Sequence, residues 1–551
     1  MPLIHRHDLV PDAALGTRES HRRLLEFRRE ISRSHDAPIA WLVRLLPPSS
    51  RRGNAASRLR RRFFRSRVPS VTPSLESGFF HQNSLDPTTS KSLVGSIDEV
   101  EIIDSSLPLA EINARIMSGT LTWVFLSPDS SAPAAATMAY WLSGHEGADV
   151  IFADSKDPTT GLISLRPPQV GPHTLLSYNV VGECCLLRRE ALRARGLFDE
   201  AAGVAYLHDF FLRVSESRGI FRHIPVIVEG ETPLTGIDAA ILTNDTIAVV
   251  RKAFARRGLR ATVASGPLAG TTNWLPELPL AHPRVDIVIP TRDRRDLLER
   301  CIASIRQQST YDNYRIIILD NDSKDPATLE YFASTEHEVV PCPGAFNYAA
   351  IMNRGVSHSS ADFVVTLNND TTIETADWLE RLVALASLED VGVVGVRLRE
   401  ANGKSEHEGI VMVPYPQHLR SDGNYPRRDE YIQSLRDVIA VTGACQIIAR
   451  SWWQELGGMD EEMRVVMNDI DLCLRSLERG RFVLYDPRVV VTHAVGSSRG
   501  SLDPLADRSR FIARWDVFGS FVDPFFPSSL RLLGETFFHR PAVSVPPLAH
   551  P

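Results

Sequence analysis

Val285-Asp286-Ile287-Val288-Ile289-Pro290, Arg315-Ile316-Ile317-Ile318-Leu319 and Asp362-Phe363-Val364-Val365-Thr366-Leu367 are three nearly continuous apolar runs. Each ends in a polar cluster: Thr291-Arg292-Asp293, Asp320-Asn321-Asp322 and Asn368-Asn369-Asp370. Runs this short and this apolar suit strands covered on both faces. Between the first two, Leu297, Leu298, Cys301, Ile302 and Ile305 recur with helical spacing and make one apolar face. Strand, helix and strand in this order predict an open α/β sheet. Open sheets of that kind bind their ligands at the carboxyl ends of the strands, where the acidic clusters fall.

Upstream, the pattern has a shorter precedent. Val100 to Ile103, Leu121 to Leu126 and Val150 to Phe152 read as strands, with helices over Leu109 to Met117 and Ala134 to Leu142. The two regions repeat one another. Trp123 to Asp129 parallels Phe363 to Asp370, Val181 to Cys184 parallels Thr442 to Cys445, and Gly196 to Glu200 parallels Gly458 to Glu461. Counting back from Arg213 and Arg475 sets Asp209 against Asp471, Leu207 against Asp469 and Glu231 against His493. The first copy is expected to lack counterparts of the strands that end at Pro290 and Asp320. This divides the chain into a basic extension (1–92), a shortened α/β domain (93–240), a helical and proline-rich linker (241–283), a full α/β domain (284–505) and a tail (506–551).

The bulk properties bound the function. A chain of 551 residues exceeds what one core usually organises, in line with two domains. A net charge of −6 and a pI near 6.3 argue against a general nucleic-acid binder. The six cysteines form no CxxC pair and no secretory signal precedes them, so a reducing cytoplasm is expected. No apolar run reaches the roughly 20 residues of a spanning helix. Eight arginines between Arg51 and Arg67, with Phe63 and Phe64 among them, have two readings: peripheral contact with an anionic membrane at its inner face, or a basic leader without that role.

Individual residues of the second domain admit two readings each. Asp370 can ligate a hard divalent cation beside a diphosphate, or end a strand in an Asn-Asn-Asp turn. Asp320 can accept hydrogen bonds from a base or ribose, or do the same turn work. Asp469 can serve as a general base, or cap the helix that Asn468-Asp469-Ile470-Asp471 opens. His493, closing the run Arg488 to Thr492, can be a neutral metal ligand or a satisfied polar residue, and so can His407. A nucleotidyltransferase would want a glycine-rich basic phosphate loop after the first strand, which Pro290-Thr291-Arg292-Asp293 does not supply.

Taken in order, VDIVIPTRDR, IASIRQQS, IIILDNDSKD, FNYAAIMNRGV, DFVVTLNNDT, VTGACQIIAR, GGMDEE, NDIDLCLR and VVVTHAVGSS make residues 285–500 resemble glycosyltransferase family 2, the inverting enzymes of the GT-A fold. The resemblance implies a Rossmann-like GT-A glycosyltransferase domain preceded by a shortened, degenerate GT-A-like domain. It implies a sugar moved from a nucleotide-diphosphate donor to a saccharide or lipid-linked saccharide, as in polysaccharide synthesis, with Asp469 as catalytic base. Asp370 and His493 would hold Mg²⁺ or Mn²⁺, with Asn368 replacing the first acid of the Asp-x-Asp motif. Pro290, Thr291, Arg292, Asp320, Asn347, Asn353, Asn368, Asn369, Thr442, Gly443, Ala444 and Asp471 would line the nucleotide and donor site. The first copy, with Leu207 at the position of the base, is expected to catalyse nothing. The rival class is a non-catalytic carbohydrate-binding or assembly module.

Overall fold

The computed structural model describes residues 97–539 except 128–132, 141, 143, 144, 146, 157–162, 230–236, 414, 424, 426–428, 495–503, 518–520, 529, 534 and 535. The arginine-rich extension, Asp129 and Glu231 lie outside the described residues. Alternating apolar strands and amphipathic helices give two mixed α/β units.

In the first unit, β1 (Val100–Asp104), β2 (Trp123–Ser127), β3 (Val150–Lys156), β4 (Ile163–Ser164), β5 (Cys185–Arg188) and β6 (Phe221–Glu229) make a six-stranded sheet in the order β1-β2-β5-β3-β4, with β6 on β3. Helix α1 (Pro172–Ser177) faces the second unit, and α2 (Tyr206–Glu216) carries Leu207 and Asp209, both buried. The stretch expected as a linker is packed structure. Its helix α3 (Ala239–Arg256) is capped by Asp238, and the hairpin β7 (Ala261–Ser265) to β8 (Thr272–Pro276) buries Trp274 completely.

The second unit places β9 (Val285–Thr291), β10 (Tyr314–Asp320), β11 (Glu338–Pro341), β12 (Phe363–Leu367), β13 (Thr371–Ile373), β14 (Val391–Arg399), β15 (Ser405–His407), β18 (Arg436–Val438), β19 (Cys445–Ala449) and β20 (Phe482–His493) in a ten-stranded sheet. The main order is β11-β10-β9-β12-β19-β14-β20-β13. A separate hairpin pairs β16 (Ile410–Met412) with β17 (Pro416–His418). The helices that position the site are α4 (Arg295–Gln308), α5 (Tyr348–Ser357), α6 (Trp378–Ala386), α7 (Asn468–Glu478) and α8 (Leu505–Trp515). Leu297, Leu298, Cys301, Ile302 and Ile305 of α4 are all buried, as their spacing predicts. Gly355 lets α5 approach β10: a Cβ there would lie 2.6 Å from Leu319 Cδ1.

The two sheets share one pairing plan. β1·β2 and β9·β12 are parallel, β2·β5 and β12·β19 antiparallel, β5·β3 and β19·β14 antiparallel, β3·β6 and β14·β20 parallel. Both long parallel pairs carry a register shift at matching places, between Ala153 and Asp154 and between Val396 and Arg397. Strand β1 therefore occupies the place of β9, which corrects the expectation that both nucleotide-side strands are missing. Among the described residues, β10, β11, β13 and β18 have no counterpart in the first sheet. The shift also sets Thr492 against Glu229, one residue off the counted register.

The segment expected as a tail is integral to the second unit. Asp507 of α8 accepts the backbone N–H groups of Val465 (2.7 Å) and Val466 (3.1 Å), and Arg514 bonds Asp460 and Asp471 at 2.9 Å each. Helix α3 does the same in the first unit, where Asp245 accepts the Val204 N–H (2.9 Å) and Lys252 bonds Asp199 (2.7 Å).

The units meet through a shared core and a buried ion cluster. Asp437 on β18, 1% exposed, accepts His173 N (3.0 Å), Thr174 N (2.8 Å), Thr174 Oγ1 (2.9 Å) and His173 Nδ1 (2.8 Å) from the first turn of α1. His173 Nε2 lies 3.4 Å from Asp390, and its ring stacks on Trp274. Burial lowers the His173 pKa, but the Asp437 and Asp390 carboxylates outweigh it and raise the value to about 9.

Candidate active site

The carboxyl ends of β9, β10 and β12 converge. Thr291 Oγ1 accepts a hydrogen bond from Asn369 Nδ2 at 3.0 Å, and Asn321 N donates to Thr291 O at 2.9 Å. Asp320 Oδ1 accepts Ser323 N at 2.9 Å, so part of its carboxylate does the turn work the sequence also allowed. Asp293, at φ +49, accepts the backbone N–H groups of Lys324 and Asp325, tying the two loops together. Those bonds hold the Asp293 carboxyl below its ordinary range. Arg292 is exposed at the rim and Pro290 half-buried. The strand ends and their loops thus form one polar edge at the carboxyl side of the sheet.

Asn368, Asn369 and Asp370 follow β12 and are all buried. Strand β13 pairs Thr371 with His493, and Ala494 N donates to Asp370 O at 2.9 Å, so the two candidate metal ligands are fixed side by side. His493 Nε2 lies 3.1 Å from Asp370 Oδ1 and 3.4 Å from Asn368 Nδ2. Its other nitrogen, Nδ1, faces both oxygens of Glu406 at 2.8 and 2.9 Å. Burial lowers the His493 pKa, yet Asp370 and Glu406 together raise it to about 9.

A carboxylate behind one imidazole nitrogen is the arrangement that fixes a histidine to present its other nitrogen to a metal. The donor set fits a divalent cation: an Asp370 oxygen and His493 Nε2 lie 3.1 Å apart. Among the described residues no group of three His, Cys, Asp or Glu side chains converges as a ligand set. The remaining positions would fall to diphosphate oxygens and water, as is usual for Mg²⁺. Glu406 escaped the sequence reading because β15 has only three residues and shows no periodicity, although it adjoins His407.

At the other end, Met467 adopts a left-handed backbone (φ 70, ψ −9) that turns the chain into α7 and sets Asp469 in its first turn. Asp469 is half-buried. Its Oδ2 accepts Gly443 N at 2.8 Å and its Oδ1 accepts Ile470 N at 2.9 Å. The Gly443 carbonyl accepts Tyr348 Oη (3.0 Å) and Thr366 Oγ1 (2.8 Å), and the Ala444 carbonyl accepts Asn368 N (3.0 Å). Thr442-Gly443-Ala444 thus bridges the acid on α7 and the Asn368–Asp370 cluster.

Three expected site residues do other work. Asp471 is fully buried and accepts Arg475 Nε (2.8 Å), Arg514 Nη1 (2.9 Å) and Trp515 Nε1 (3.0 Å), so it locks α7 to α8. Asn347 caps α5 through Ala350 N (3.1 Å) and donates to Glu461 O (3.0 Å). Asn353 holds the same loop through Met459 and Glu461. Their amides are consumed in holding the arm before Asp469. His407 is buried and touches no acid of the site; its Nδ1 lies 3.3 Å from His418 Nδ1.

Residues 286–457 match the model of Glycosyl transferase family 2. An uncharacterized protein, y4gI, of Sinorhizobium fredii is 33% identical over 272 residues, 46% of this chain and 30% of its own. The O-antigen biosynthesis protein RfbC of Myxococcus xanthus is 29% identical over 366 residues, 62% of this chain and 28% of its own. The pre-mycofactocin glycosyltransferase of Mycobacterium tuberculosis is 29% identical over 283 residues, 49% of this chain and 57% of its own. The match thus spans less than a third of the first two relatives and somewhat over half of the third. Asp469 and His493 lie beyond the matched 286–457, yet β20 and α7 pack into the same sheet and core.

Proposed function

We propose that this chain is an inverting glycosyltransferase that moves a sugar from a nucleoside-diphosphate donor to a hydroxyl of a saccharide or lipid-linked saccharide in glycan biosynthesis. The observation that carries the reading is the single structure joining Asp469 to the Asp370–His493–Glu406 cluster through Thr442-Gly443-Ala444. A base at one end and a diphosphate anchor at the other are what a single displacement needs. Asp469 takes the proton from the acceptor hydroxyl. That oxygen bonds to the anomeric carbon as the bond to the diphosphate oxygen breaks, and the nucleoside diphosphate leaves with the electron pair, inverting the configuration. Mg²⁺ or Mn²⁺, when bound, neutralises charge on the leaving diphosphate. Asp370 and His493 would hold it, Glu406 orienting the imidazole, while Asp320, Thr291 and Asn369 shape the nucleotide end.

The first unit is read as a degenerate copy, supported by the shared pairing plan and by Leu207 in place of a base. Its role is structural: α1 braces β18 through Asp437. The arginine cluster at 51–67 keeps its two readings, and among the described residues no helix is long and apolar enough to cross a membrane. The relatives named for O-antigen biosynthesis and for pre-mycofactocin glycosylation support glycan or glycoside assembly as the setting.

The test is a calorimetric titration of UDP, dTDP and GDP, each with and without Mn²⁺, on wild type and Asp370→Ala. Metal-dependent binding of one nucleotide, lost in the variant, is the expected result. No binding of any nucleotide sinks the reading in favour of a non-catalytic module.

A further inference from the structure

The arm from Gly457 to Met467 delivers the chain into α7, just ahead of Asp469, and it is tied down along its length. Arg510 and Arg514 bond Asp460 at 2.9 Å each, and Asn347 Nδ2 donates to Glu461 O at 3.0 Å. Asn468 Nδ2 donates to Met463 O (2.9 Å), Tyr348 N donates to Arg464 O (2.6 Å), and Asp507 accepts the N–H groups of Val465 and Val466. The first unit repeats part of this clamp. At the register that sets Arg213 against Arg475, Val204 and Asp245 fall at the places of Val466 and Asp507, and Val204 N donates to Asp245 at 2.9 Å. Both arms are built to hold a loop against the helix that follows it.

The arms part at their last residue. Met467 stands at φ 70, ψ −9, a left-handed backbone, whereas Ala205 at the matching position has an ordinary φ −92, ψ 18. A residue with a Cβ adopts the left-handed form at a cost in energy, and methionine lacks the short polar side chain that lets asparagine offset it. The first unit meets its own positive φ, at Gly203, with a residue that bears it freely. Met467 is buried, and Tyr415 Oη donates to its Sδ at 3.8 Å. The following positions also differ in where they face. Leu207 in α2 is buried in the core, while Asp469 in α7 is half-buried and turns to another segment, its Oδ2 accepting Gly443 N at 2.8 Å. Strained backbone persists only where the surroundings over-determine it, and it gathers at functional sites. Here it occurs in the unit that carries the acid and not in the one that carries leucine.

We propose that Met467 is a positioning residue, whose left-handed backbone, held by the clamped arm, aims the Asp469 carboxylate out of the core and across to Gly443. The proposal rests on the glycosyltransferase reading above, in which Asp469 is the base. The arm supplies the restraint and Met467 the direction. Loss of the left-handed turn leaves the strand ends of the nucleotide side in place and turns the acid away from the hydroxyl it must deprotonate. A misplacement of about 1 Å is enough to cost a base much of its effect.

The experiment compares Met467→Gly, Met467→Ala and Met467→Val in the full chain. All three remove the contact with Tyr415, but two properties rank them in opposite orders. Tolerance of a left-handed backbone falls from Gly to Ala to Val, whereas apolar bulk rises. Each variant receives UDP-glucose, dTDP-glucose and GDP-mannose with Mn²⁺, and release of the nucleoside diphosphate is followed at saturating donor. Water is the acceptor: its oxygen bonds to the anomeric carbon, Asp469 takes its proton and the diphosphate leaves. Release by Met467→Gly should exceed that by Met467→Val about tenfold or more, with Met467→Ala between them, while Mn²⁺-dependent nucleotide affinity stays within about twofold. A parallel urea unfolding curve shows that each variant is folded. Release that rises with bulk, or is equal in all three, overturns the proposal, as does a loss of nucleotide affinity large enough to explain the order. A wild type that binds a nucleoside diphosphate yet releases none overturns it too, since an aimed base would activate water. If Met467→Val shows no unfolding transition, Met467→Asn against Met467→Leu makes the same comparison, and Met467→Leu equal to or above Met467→Asn overturns it. Failure of wild type to bind any nucleoside diphosphate sinks the glycosyltransferase reading itself, a distinguishable result.

Discussion

Asp437→Ala should open the contact between the units and cost the full chain about 3–5 kcal/mol, the usual price of removing one partner of a buried ion cluster. The carboxylate is 1% exposed and receives four hydrogen bonds, two from backbone N–H groups of α1, so no water stands ready to replace it. Loss of the acid also strands His173, whose rise from 6.5 to about 9 depends first on Asp437 among the groups that raise it. That rise corresponds to about 3 kcal/mol of stabilisation. Its sign follows from the raised value: a histidine with a higher pKa in the folded chain contributes fully below pH 6.5 and loses the contribution as pH climbs through about 9. Wild type should therefore lose stability between pH 6.5 and 9 more steeply than Asp437→Ala does. The assay is urea unfolding of the full chain followed by far-UV circular dichroism across that pH range. A loss under about 1 kcal/mol, or parallel pH profiles, would falsify the account of the interface.

Asp469→Asn should abolish turnover, by about 10²-fold or more, while Mn²⁺-dependent nucleotide affinity stays within twofold; near-wild-type turnover would remove Asp469 as base. Glu406→Gln should weaken Mn²⁺ binding about 10–100-fold by releasing the His493 ring, read by metal titration, and unchanged affinity would show that the carboxylate does not orient it. Asp471→Asn should cost about 3 kcal/mol in urea unfolding without changing nucleotide affinity. Weaker nucleotide binding at wild-type stability would return Asp471 to the donor site.

The legible part of the sequence was what local periodicity encodes. Apolar runs of five to seven residues became β9, β10 and β12, and the helical spacing in α4 produced the buried face it predicts. Because strand ends gather in an open sheet, the acidic clusters following those runs came together as well. What stayed hidden depends on distant pairing. Glu406 reaches His493 only because β15 and β20 flank β14, which no local signal reports. The helices read as linker and tail, α3 and α8, each clamp a distant loop through an Asp and a basic side chain, contacts that no local spacing reports. Asn347, Asn353 and Asp471 look like ligand residues in the sequence because polar anchors of a loop and polar contacts to a ligand use the same side chains.

The two units, compared position by position, separate fold from chemistry without any other protein. Arg213 bonds Asp209 and the carbonyls of Arg195 and Leu197, and Arg475 bonds Asp471 and the carbonyls of Leu456 and Gly458. A contact present in both units serves what both units do, which is to fold. Asp471 belongs to that class, since Asp209 persists in a unit where Leu207 stands at the position of Asp469. Asp469, Glu406 and the β10 loop with Asp320 belong to the other class, for they stand where the first unit has leucine, the two-residue strand β4 or no strand at all. Had the acid pair on α7 been there only to cap a helix, the first unit, which keeps the helix, would have had equal use for both acids. It keeps only the one that holds the arginine, and the acid it dispenses with is the one placed beside Gly443.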